Sequence, residues 1–466
     1  MSEAVYQAMA RARSGFVEAP AGCGKTEAIV NTVGTFCDGR QLVLTHTHAG
    51  VDALRQRFRT HGTARAKYHV DTIAGWSWGW VRMYPNNAAY RGPVDIAAWA
   101  DVYSGMCNLL HKDFVKQGIL NSYNGVIVDE YQDCTAQMHS VIVELKRLLP
   151  CRVLGDDLQG IFGFRDEKLI GWSDVRAEFG TDLGALETPY RWIKAGNEKL
   201  GRWLLNSRDD FRASREPSYR NSPVERRSMT YSDLGRKLIG IVREKEGRMC
   251  VIGHKARPLP VGIETTLVNH QFRVLEPNDL SVLQDLVRAI CDGEAADAPK
   301  AVMAFFKRVF GALGPDDKQF FQNILSNKRQ RVLRADRRAL CQKHGEGVTP
   351  RLLFDLLEYV GKNPGVPCKL KESVSALQCI LEAHLETGAS LKTLYADEIA
   401  RRKYHSRSNA YRCIGSTLLV KGLEFDHAIV LRAPDWQDGW GTHKDVYVAL
   451  TRGAKSATLI DLVKPS

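Results

Sequence analysis

Residues 19–26 read APAGCGKT and have the composition of a loop that binds phosphate groups. The spacing fits the pattern G-x-x-x-x-G-K-[ST], except that Ala19 stands where the first glycine is usual. Glycines in such a loop let backbone N–H groups turn toward phosphate oxygens, and the helix that begins there adds its positive N-terminal end. We expect Lys25 to reach the β- and γ-phosphates of a nucleotide and Thr26 to hold Mg²⁺. The residues predicted to line the phosphates are Ala21, Gly22, Cys23, Gly24, Lys25 and Thr26.

A second group of residues, VIVDEYQD at 126–133, places carboxylates directly after an apolar, strand-like run. In phosphate-loop NTPases an Asp on a second strand binds the metal, so Asp129 is a candidate Mg²⁺ ligand. Glu130 is the candidate base that orients and deprotonates the attacking water. A lone Asp-Glu pair after a strand would more often be a solvated strand end. Because a phosphate loop lies upstream, the metal-binding and catalytic interpretation of this pair is favoured instead.

The segment VLGDDLQGIFGFR at 153–165 has further residues that suit a nucleotide and a nucleic acid. Gln159 follows a short strand-like run, and a Gln near a γ-phosphate can position water or respond to hydrolysis. Phe162, Phe164 and Arg165 suit base stacking, although taken alone the two Phe residues would more often belong to a core.

Two arginines are candidates for stabilising charge during phosphoryl transfer. Arg191 lies in LETPYRW, and Arg452 follows the apolar run in YVALTRGAK. An Arg at a nucleotide cleft can raise the rate by about 10³–10⁵. Taken singly, each would more often be a surface cation.

The composition sets limits on the class of protein. At 466 residues the chain exceeds what one core usually serves, which predicts two to four domains. A net charge of +12 favours an anionic polymer as partner, although a merely basic surface explains it equally well. Eleven Cys without a CxxC pair and without a signal segment indicate a reducing compartment. No segment approaches the roughly 20 apolar residues of a membrane span, so we expect a cytoplasmic protein with no membrane partner.

Taken together and in this order, eight segments resemble the motifs of the UvrD/Rep/PcrA-like superfamily 1 helicases. They run from residue 19 to 455: APAGCGKT, LTHTHAGVDALRQR, VDTIAGWSWGW, VIVDEYQD, LGDDLQGIFGFR, LETPYRW, TLLVKGLEFD and YVALTRGAK. The most specific are VDEYQD, GDDLQGIF, KGLEFD and YVALTR. The resemblance implies an α/β fold of two RecA-like, parallel-sheet P-loop domains with small helical insertions and ATP bound between them.

The resemblance also implies roles for the matching residues. The implied catalytic residues are Lys25, Glu130, Gln159, Arg191 and Arg452. Thr26 and Asp129 would hold Mg²⁺. Outside the phosphate loop, ATP would be contacted by Gln7 and Tyr190 at adenine, by Glu424 at ribose, and by Arg191 and Arg452 at the γ-phosphate. Single-stranded DNA would cross near Thr47, His48, Thr72, Trp76, Phe162, Phe164 and Arg165.

The chain departs from the family pattern at a few positions. Glu27 follows the GKT where Arg is usual, which affects one adenine contact. Leu418 stands where a His usually precedes the Lys-Gly-Leu-Glu-Phe stretch, which affects one DNA contact. Phe162 and Phe164 replace the usual Tyr and Trp, so stacking survives while a hydroxyl and an indole N–H are lost.

The domain organisation is predicted from the same alignment of motifs and from helical periodicity. The first RecA-like domain would cover 1–76 and 119–182, with a small helical insertion at 77–118. The second would cover 183–293 and 396–466, with a reduced, basic helical insertion at 294–395.

These features predict an ATP-dependent DNA helicase or translocase, with 3′→5′ polarity implied by the resemblance and with single-stranded and partly duplex DNA as partner. DNA repair and antiviral defence are both candidate pathways. An alternative is a DNA-stimulated ATPase subunit that regulates a partner nuclease in anti-phage defence, as in Gabija-type pairs. A phosphate-loop kinase or GTPase is disfavoured because it offers no use for KGLEFD.

Overall fold

The computed structural model describes residues 2–92, 99–161, 169–253, 263–275, 281–292, 297–311, 313–326, 334–344, 347–362, 366–388, 390–392, 394, 395, 398, 411–433 and 443–463. The chain divides into two compact units. One comprises Met1–Gly92, Ala97–Glu276 and Ser406–Ser466; the other comprises Pro277–His405 together with Pro93–Ile96.

Six strands form the first sheet of the larger unit. They are β1 Ser14–Glu18, β2 Gln41–Thr45, β3 Tyr68–Thr72, β4 Gly125–Val128, β5 Cys151–Gly155 and β6 Asp182–Ala185. Their order across the sheet is β3-β2-β4-β5-β1-β6, and all of the described pairings are parallel. Because β6 pairs with β1, this sheet extends to Ala185, beyond the domain boundary predicted at 182.

The central strand β4 is apolar along its whole length because both of its faces are buried. Val126 and Val128 pack into the core on one face, and Ile127 packs into the core on the other. Successive side chains of a strand point to opposite faces, so a strand covered on both faces needs an uninterrupted apolar run. Polar sequence therefore begins only at Asp129, where the strand ends.

Helices cover both faces of the first sheet. They are α1 Ser2–Arg11, α2 Lys25–Asn31, α3 His48–Thr60, α4 Ile73–Met83, α5 Pro85–Ala88, α6 Trp99–Leu110, α7 Asp113–Ser122, α8 Ala136–Leu148 and α9 Trp172–Phe179. A π-helical turn at Thr32–Phe36 continues α2, and 3₁₀ turns lie at Arg65–Lys67, Tyr131–Asp133 and Asp157–Gln159. Helices α4 to α7 all lie between β3 and β4, where the first helical insertion is predicted.

The second sheet of the larger unit also has six parallel strands. They are β7 Glu225–Thr230, β8 Met249–Gly253, β9 Arg273–Val274, β10 Arg412–Ser416, β11 Phe425–Arg432 and β12 Gly453–Val463, in the order β7-β12-β11-β8-β10-β9. The helices of this part are α10 Tyr190–Lys194, α11 Glu198–Asn206, α12 Arg208–Arg212, α13 Tyr231–Arg243 and α14 Ile263–Val268, followed after the second unit by α21 Thr417–Val420 and α22 His443–Leu450. The protein is therefore an α/β protein with two RecA-like parallel sheets.

The second compact unit is helical. Its helices are α15 Ser281–Asp292, α16 Asp297–Val309, α17 Pro315–Leu325, α18 Ala335–Lys343, α19 Pro350–Gly361 and α20 Lys371–Thr387. They share one core, in which Phe305, Phe306 and Leu353 are fully or almost fully buried. The unit extends beyond the predicted limits of 294–395 at both ends.

The basic run KRQRVLRADRRALCQK at 328–343, within the insertion predicted to be basic, lies partly outside the described residues, which resume at Arg334. Within α18, Arg337 forms an ion pair with Asp317, and Lys343 lies 2.6 Å from Asp355. Acidic residues of the same unit thus neutralise part of this basic segment. Separately, none of the helices in the described ranges is both long and apolar enough to cross a bilayer.

Substitution of a β4 side chain tests the burial of the first sheet. We expect Ile127→Ala to lower the free energy of unfolding by about 2–5 kcal/mol, because it removes a fully buried side chain and leaves a cavity. Leu120→Ala, on the exposed side of α7, is the control and should change it by less than about 0.5 kcal/mol. Urea unfolding followed by circular dichroism measures both. Equal losses would contradict the placement of Ile127.

Candidate nucleotide site

The predicted phosphate loop lies between β1, which ends at Glu18, and α2, which begins at Lys25. Gly22 and Gly24 have φ angles of 69° and 84°, a left-handed conformation that side-chain-bearing residues adopt at a cost. A Cβ at Gly22 would also lie 2.7 Å from the Trp192 ring. The two glycines are therefore required by backbone conformation and, at Gly22, by close packing.

Lys25 and Glu130 form the central ion pair of the site. The Lys25 ammonium donates to Glu130 Oε2 at 2.8 Å, and the Gln132 amide donates to the same oxygen at 2.5 Å. Although burial alone would raise it, Lys25 lowers the pKa of Glu130 to about 2. Glu130 has a φ of 55°, which is unusual for a residue with a side chain and marks a locally strained backbone. The first turn of α2 and the end of β4 thus bring together the two residues predicted to act on phosphate and water.

Asp129 is a buried carboxylate with little nearby to stabilise its negative charge. It is 5% exposed, and its Oδ1 accepts the backbone N–H of Glu130 at 2.8 Å. Burial and the adjacent Glu130 raise the pKa of Asp129 to about 7. A carboxylate in this condition would be stabilised by a bound cation.

Arg191 reaches the loop from α10 and connects it to the turns before β11 and β12. Its backbone N–H donates to Gly22 O at 3.1 Å, and its guanidinium donates to Thr451 O at 2.6 Å and to Glu424 Oε1 at 2.5 Å. Its Nε is buried and has no hydrogen-bond partner among the described residues. This leaves a buried donor directed at no acceptor, as expected of a residue that binds an anion.

Arg452 occupies the turn between α22 and β12 and is 2% exposed. Its guanidinium donates to Gln159 Oε1 at 3.1 Å and to the main-chain oxygens of Val448 and Leu423. Burial and the neighbouring Arg191 guanidinium lower the pKa of Arg452 to about 10. A buried guanidinium that is destabilised by a second one nearby would be stabilised by an anion bound between the two.

A second buried ion pair lies where the two sheets meet. Lys421 donates to Asp133 Oδ1 and to Gln159 O, both at 2.5 Å. Burial raises the pKa of Asp133 to about 6 despite Lys421, and burial lowers the pKa of Lys421. This ion pair joins the VDEYQD segment to the KGLEFD segment.

Three residues of the site, Asp156, Arg208 and Tyr447, are not among the candidates predicted from the sequence. Asp156 accepts the Ala21 N–H at 3.0 Å, and its own N–H donates to Gln132 Oε1 at 3.0 Å. Arg208 and Tyr447 both bond the Asp156 carboxylate. Asp156 stands in GDDLQ and could have been suspected from its place at a strand end, whereas Arg208 lies in an ordinary polar helix.

The residues predicted to contact adenine and ribose have different surroundings in the structure. Tyr190 lies beside the phosphate loop, since a Cβ at Gly24 would be 3.1 Å from its ring. Gln7 lies on α1, where its amide donates to Glu3 at 3.4 Å. Glu424, predicted to bind ribose, is the partner of Arg191.

The predicted DNA contacts fall into three groups. Thr47 and His48 begin α3, with His48 exposed and the Thr47 hydroxyl accepting the Gly50 N–H. Thr72 and Trp76 are only 3% and 4% exposed. The Thr72 hydroxyl caps α4, and the Trp76 ring packs into the core. The third group, Phe162, Phe164 and Arg165, lies outside the described residues.

The residues present fit a nucleotide with Mg²⁺. Lys25, Arg191 and Arg452 supply buried positive charge, and the unpartnered Nε of Arg191 is available to a phosphate oxygen. The described residues contain no group of three or more His, Cys, Asp or Glu side chains arranged to hold a metal. Proteins usually bind Mg²⁺ through one or two carboxylates together with phosphate oxygens, and Asp129 is the candidate carboxylate here.

Two parallel sheets, a phosphate loop at the end of β1 and arginines that reach it from later segments define a RecA-like P-loop protein. Residues 82–179 match the family described as the UvrD/REP helicase N-terminal domain. That range includes the strand ends that carry Asp129, Glu130 and Gln159. The match covers this segment of the chain and shows its similarity to the UvrD/REP helicases.

Two solved structures of Arterivirus nonstructural protein 10, a helicase, are similar to part of the chain. One is a complex with DNA and covers 55% of this chain and 51% of its own; the other covers 55% and 50%. Each is 14% identical with a TM-score of 0.30. The chain thus spans about half the length of these helicases. No curated protein matches the chain significantly in sequence.

The raised pKa of Asp129 predicts a pH-dependent stability difference. The folded-state pKa of about 7 lies above the ordinary value of 3.8, so the folded protein binds more protons between these values and stability falls as pH rises through them. Asp129→Asn should therefore melt at a higher temperature than wild type at about pH 8, with the gap narrowing from about pH 7 to pH 5. Differential scanning fluorimetry without nucleotide measures this. Asp113→Asn, a fully exposed carboxylate, should follow wild type throughout; a constant gap for Asp129→Asn would contradict the assignment.

Proposed function

We propose that the protein is an ATP-dependent DNA helicase or translocase that moves 3′→5′ along single-stranded DNA. One observation carries the proposal. Lys25 and Glu130 meet at the end of the first sheet, and Arg191 and Arg452 approach the same place from α10 and from the turn before β12. A nucleotide bound there would contact residues associated with both sheets, so its binding and hydrolysis would change how the sheets are held.

Phosphate binding would act first on the pair between Lys25 and Glu130. Phosphate oxygens in the loop would compete with Glu130 for the ammonium, which lies 2.8 Å from the carboxylate. Once Lys25 moves to phosphate, Glu130 is free to accept a proton from the attacking water. Asp129 and Thr26 would hold Mg²⁺, which when bound neutralises charge on the β- and γ-phosphates.

Arg191 and Arg452 would then stabilise charge on the transferred phosphoryl group. Arg452 is already ordered by main-chain oxygens and by Gln159, so little reorganisation is needed at the moment of reaction. Loss of the γ-phosphate removes the anion that holds the two guanidiniums together. The repulsion between them then favours reopening.

Gln159 is placed to transmit this change. Its side chain accepts from Arg452 and its main-chain oxygen accepts from Lys421, so it is bonded to two segments of the second sheet. The predicted DNA contacts Phe162, Phe164 and Arg165 follow it directly in the chain. A movement of the second sheet would therefore displace the residues that are predicted to contact DNA.

The first experiment measures steady-state ATP turnover with and without single-stranded DNA. We expect DNA to raise turnover in wild type, and Glu130→Gln to lower kcat by about 10²–10⁴ because it removes the base while keeping the shape of the side chain. Glu198→Gln, an exposed carboxylate of α11, is the matched control and should behave as wild type. Turnover that ignores DNA would contradict the motor, and normal turnover by Glu130→Gln would contradict the assigned base.

Polarity is tested with forked duplexes that carry only a 3′ or only a 5′ single-stranded tail. Unwinding, or displacement of streptavidin from a biotinylated end, should require the 3′ tail and ATP. Activity with only the 5′ tail would contradict the proposed direction. The nuclease partner and the choice between repair and antiviral defence remain predictions from the sequence.

A further inference from the structure

The carboxylate of Asp156 gathers hydrogen bonds from several distant parts of the chain. Its Oδ2 accepts from the Ala21 N–H at 3.0 Å, from the Gln159 amide at 2.9 Å and from the Tyr447 hydroxyl at 3.3 Å. Its Oδ1 accepts from the Leu158 N–H and from Arg208. The side chain of Asp156 is completely buried. This one group therefore joins the phosphate loop, the Gln159 turn, α12 and α22.

Arg208 is the charge that keeps Asp156 ionised in this buried place. Its Nη1 donates to Asp156 at 2.7 Å and to the Tyr447 hydroxyl at 2.8 Å, and its Nη2 donates to Glu18 and Asp157 at 2.8 and 2.9 Å. Although burial alone would raise it, Arg208 lowers the pKa of Asp156. The two terminal nitrogens of the guanidinium donate to four acceptors, which fixes the Asp156 carboxylate in one orientation.

The orientation of Asp156 determines which end of the Gln159 amide faces Arg452. An amide has a donor end and an acceptor end, and its hydrogen-bond partners decide which way it points. Because Asp156 can only accept, it takes the NH₂ end of Gln159. The carbonyl end is then left for Arg452, 3.1 Å away. A reversed amide would direct its NH₂ at a guanidinium and lose both bonds.

We propose that Arg208 and Tyr447 are positioning residues for ATP hydrolysis, acting through Asp156 on the phosphate loop and on the Gln159 amide that orients Arg452. Neither residue touches the reacting atoms. Their effect is to hold Arg452 and the loop in the arrangement that the reaction needs. This inference rests on the proposed ATPase function.

The test compares variants in the ATPase assay with saturating single-stranded DNA. Arg208→Met should lower kcat by about 10- to 100-fold, and Tyr447→Phe by about 3- to 10-fold, because the acting group is displaced rather than removed. The KM for ATP should change by less than about threefold, since Lys25 and the loop glycines remain. Arg208→Lys, which can still pair with Asp156, should recover part of the lost kcat. Tyr447→Phe keeps the ring that packs 5.5 Å from Phe211, so it tests the hydroxyl in a folded protein.

Arg212→Met is the matched control. Arg212 lies one turn further along α12 and belongs to the same ion cluster, pairing with Glu18 and Asp157 without contacting Asp156. It should lower the melting temperature as Arg208→Met does, with kcat within about twofold of wild type. Wild-type kcat in both Arg208→Met and Tyr447→Phe would overturn the inference, as would an equal loss of kcat in Arg212→Met. Absence of ATP hydrolysis by wild type would instead refute the proposed function, and this inference with it.

Discussion

Positive charge is concentrated and buried at the place where the two sheets of the larger unit meet. Burial and the nearby Arg191 guanidinium lower the pKa of Arg452, and the Nε of Arg191 lies buried without an acceptor among the described residues. Burying cations is costly unless anions pair with them, and Glu130, Glu424 and Asp133 pair with only part of this charge. A polyanion such as a nucleotide would stabilise the remaining charge, and the proposed function of the larger unit depends on this constraint.

Parallel sheets make this arrangement possible. In a parallel sheet all the strands end at one edge, so residues that follow β1, β4 and β5 lie together although they are far apart in the chain. Lys25, Asp129 and Gln159 reach the site in this way. The second sheet contributes from the opposite ends of its strands, because Lys421 and Arg452 lie in the turns before β11 and β12. Buried apolar strands give the rigid support, and the polar residues of the site lie just beyond the ends of those strands.

Much of this site could be predicted from the sequence because its residues lie in short motifs with fixed spacing. Lys25 follows two glycines whose spacing predicts a phosphate loop. Glu130 follows an apolar run that predicts a buried strand ending at a polar site. Arg208 could not be found in this way, because its role depends on a contact with Asp156 across 52 positions of sequence. Trp76 shows the converse, because its place in a motif predicts a DNA contact, whereas its burial by the packing of α4 cannot be seen in the sequence.

The pair between Lys25 and Glu130 also has a consequence for the protein between catalytic cycles. The Lys25 side chain is only 10% exposed, so its ammonium would be costly to bury without a counterion. Glu130, 2.8 Å away, supplies that counterion from within the protein. In the proposed mechanism Glu130 would therefore be the partner to which Lys25 returns when phosphate leaves, and while paired in this way it would be a poor acceptor for a proton from water.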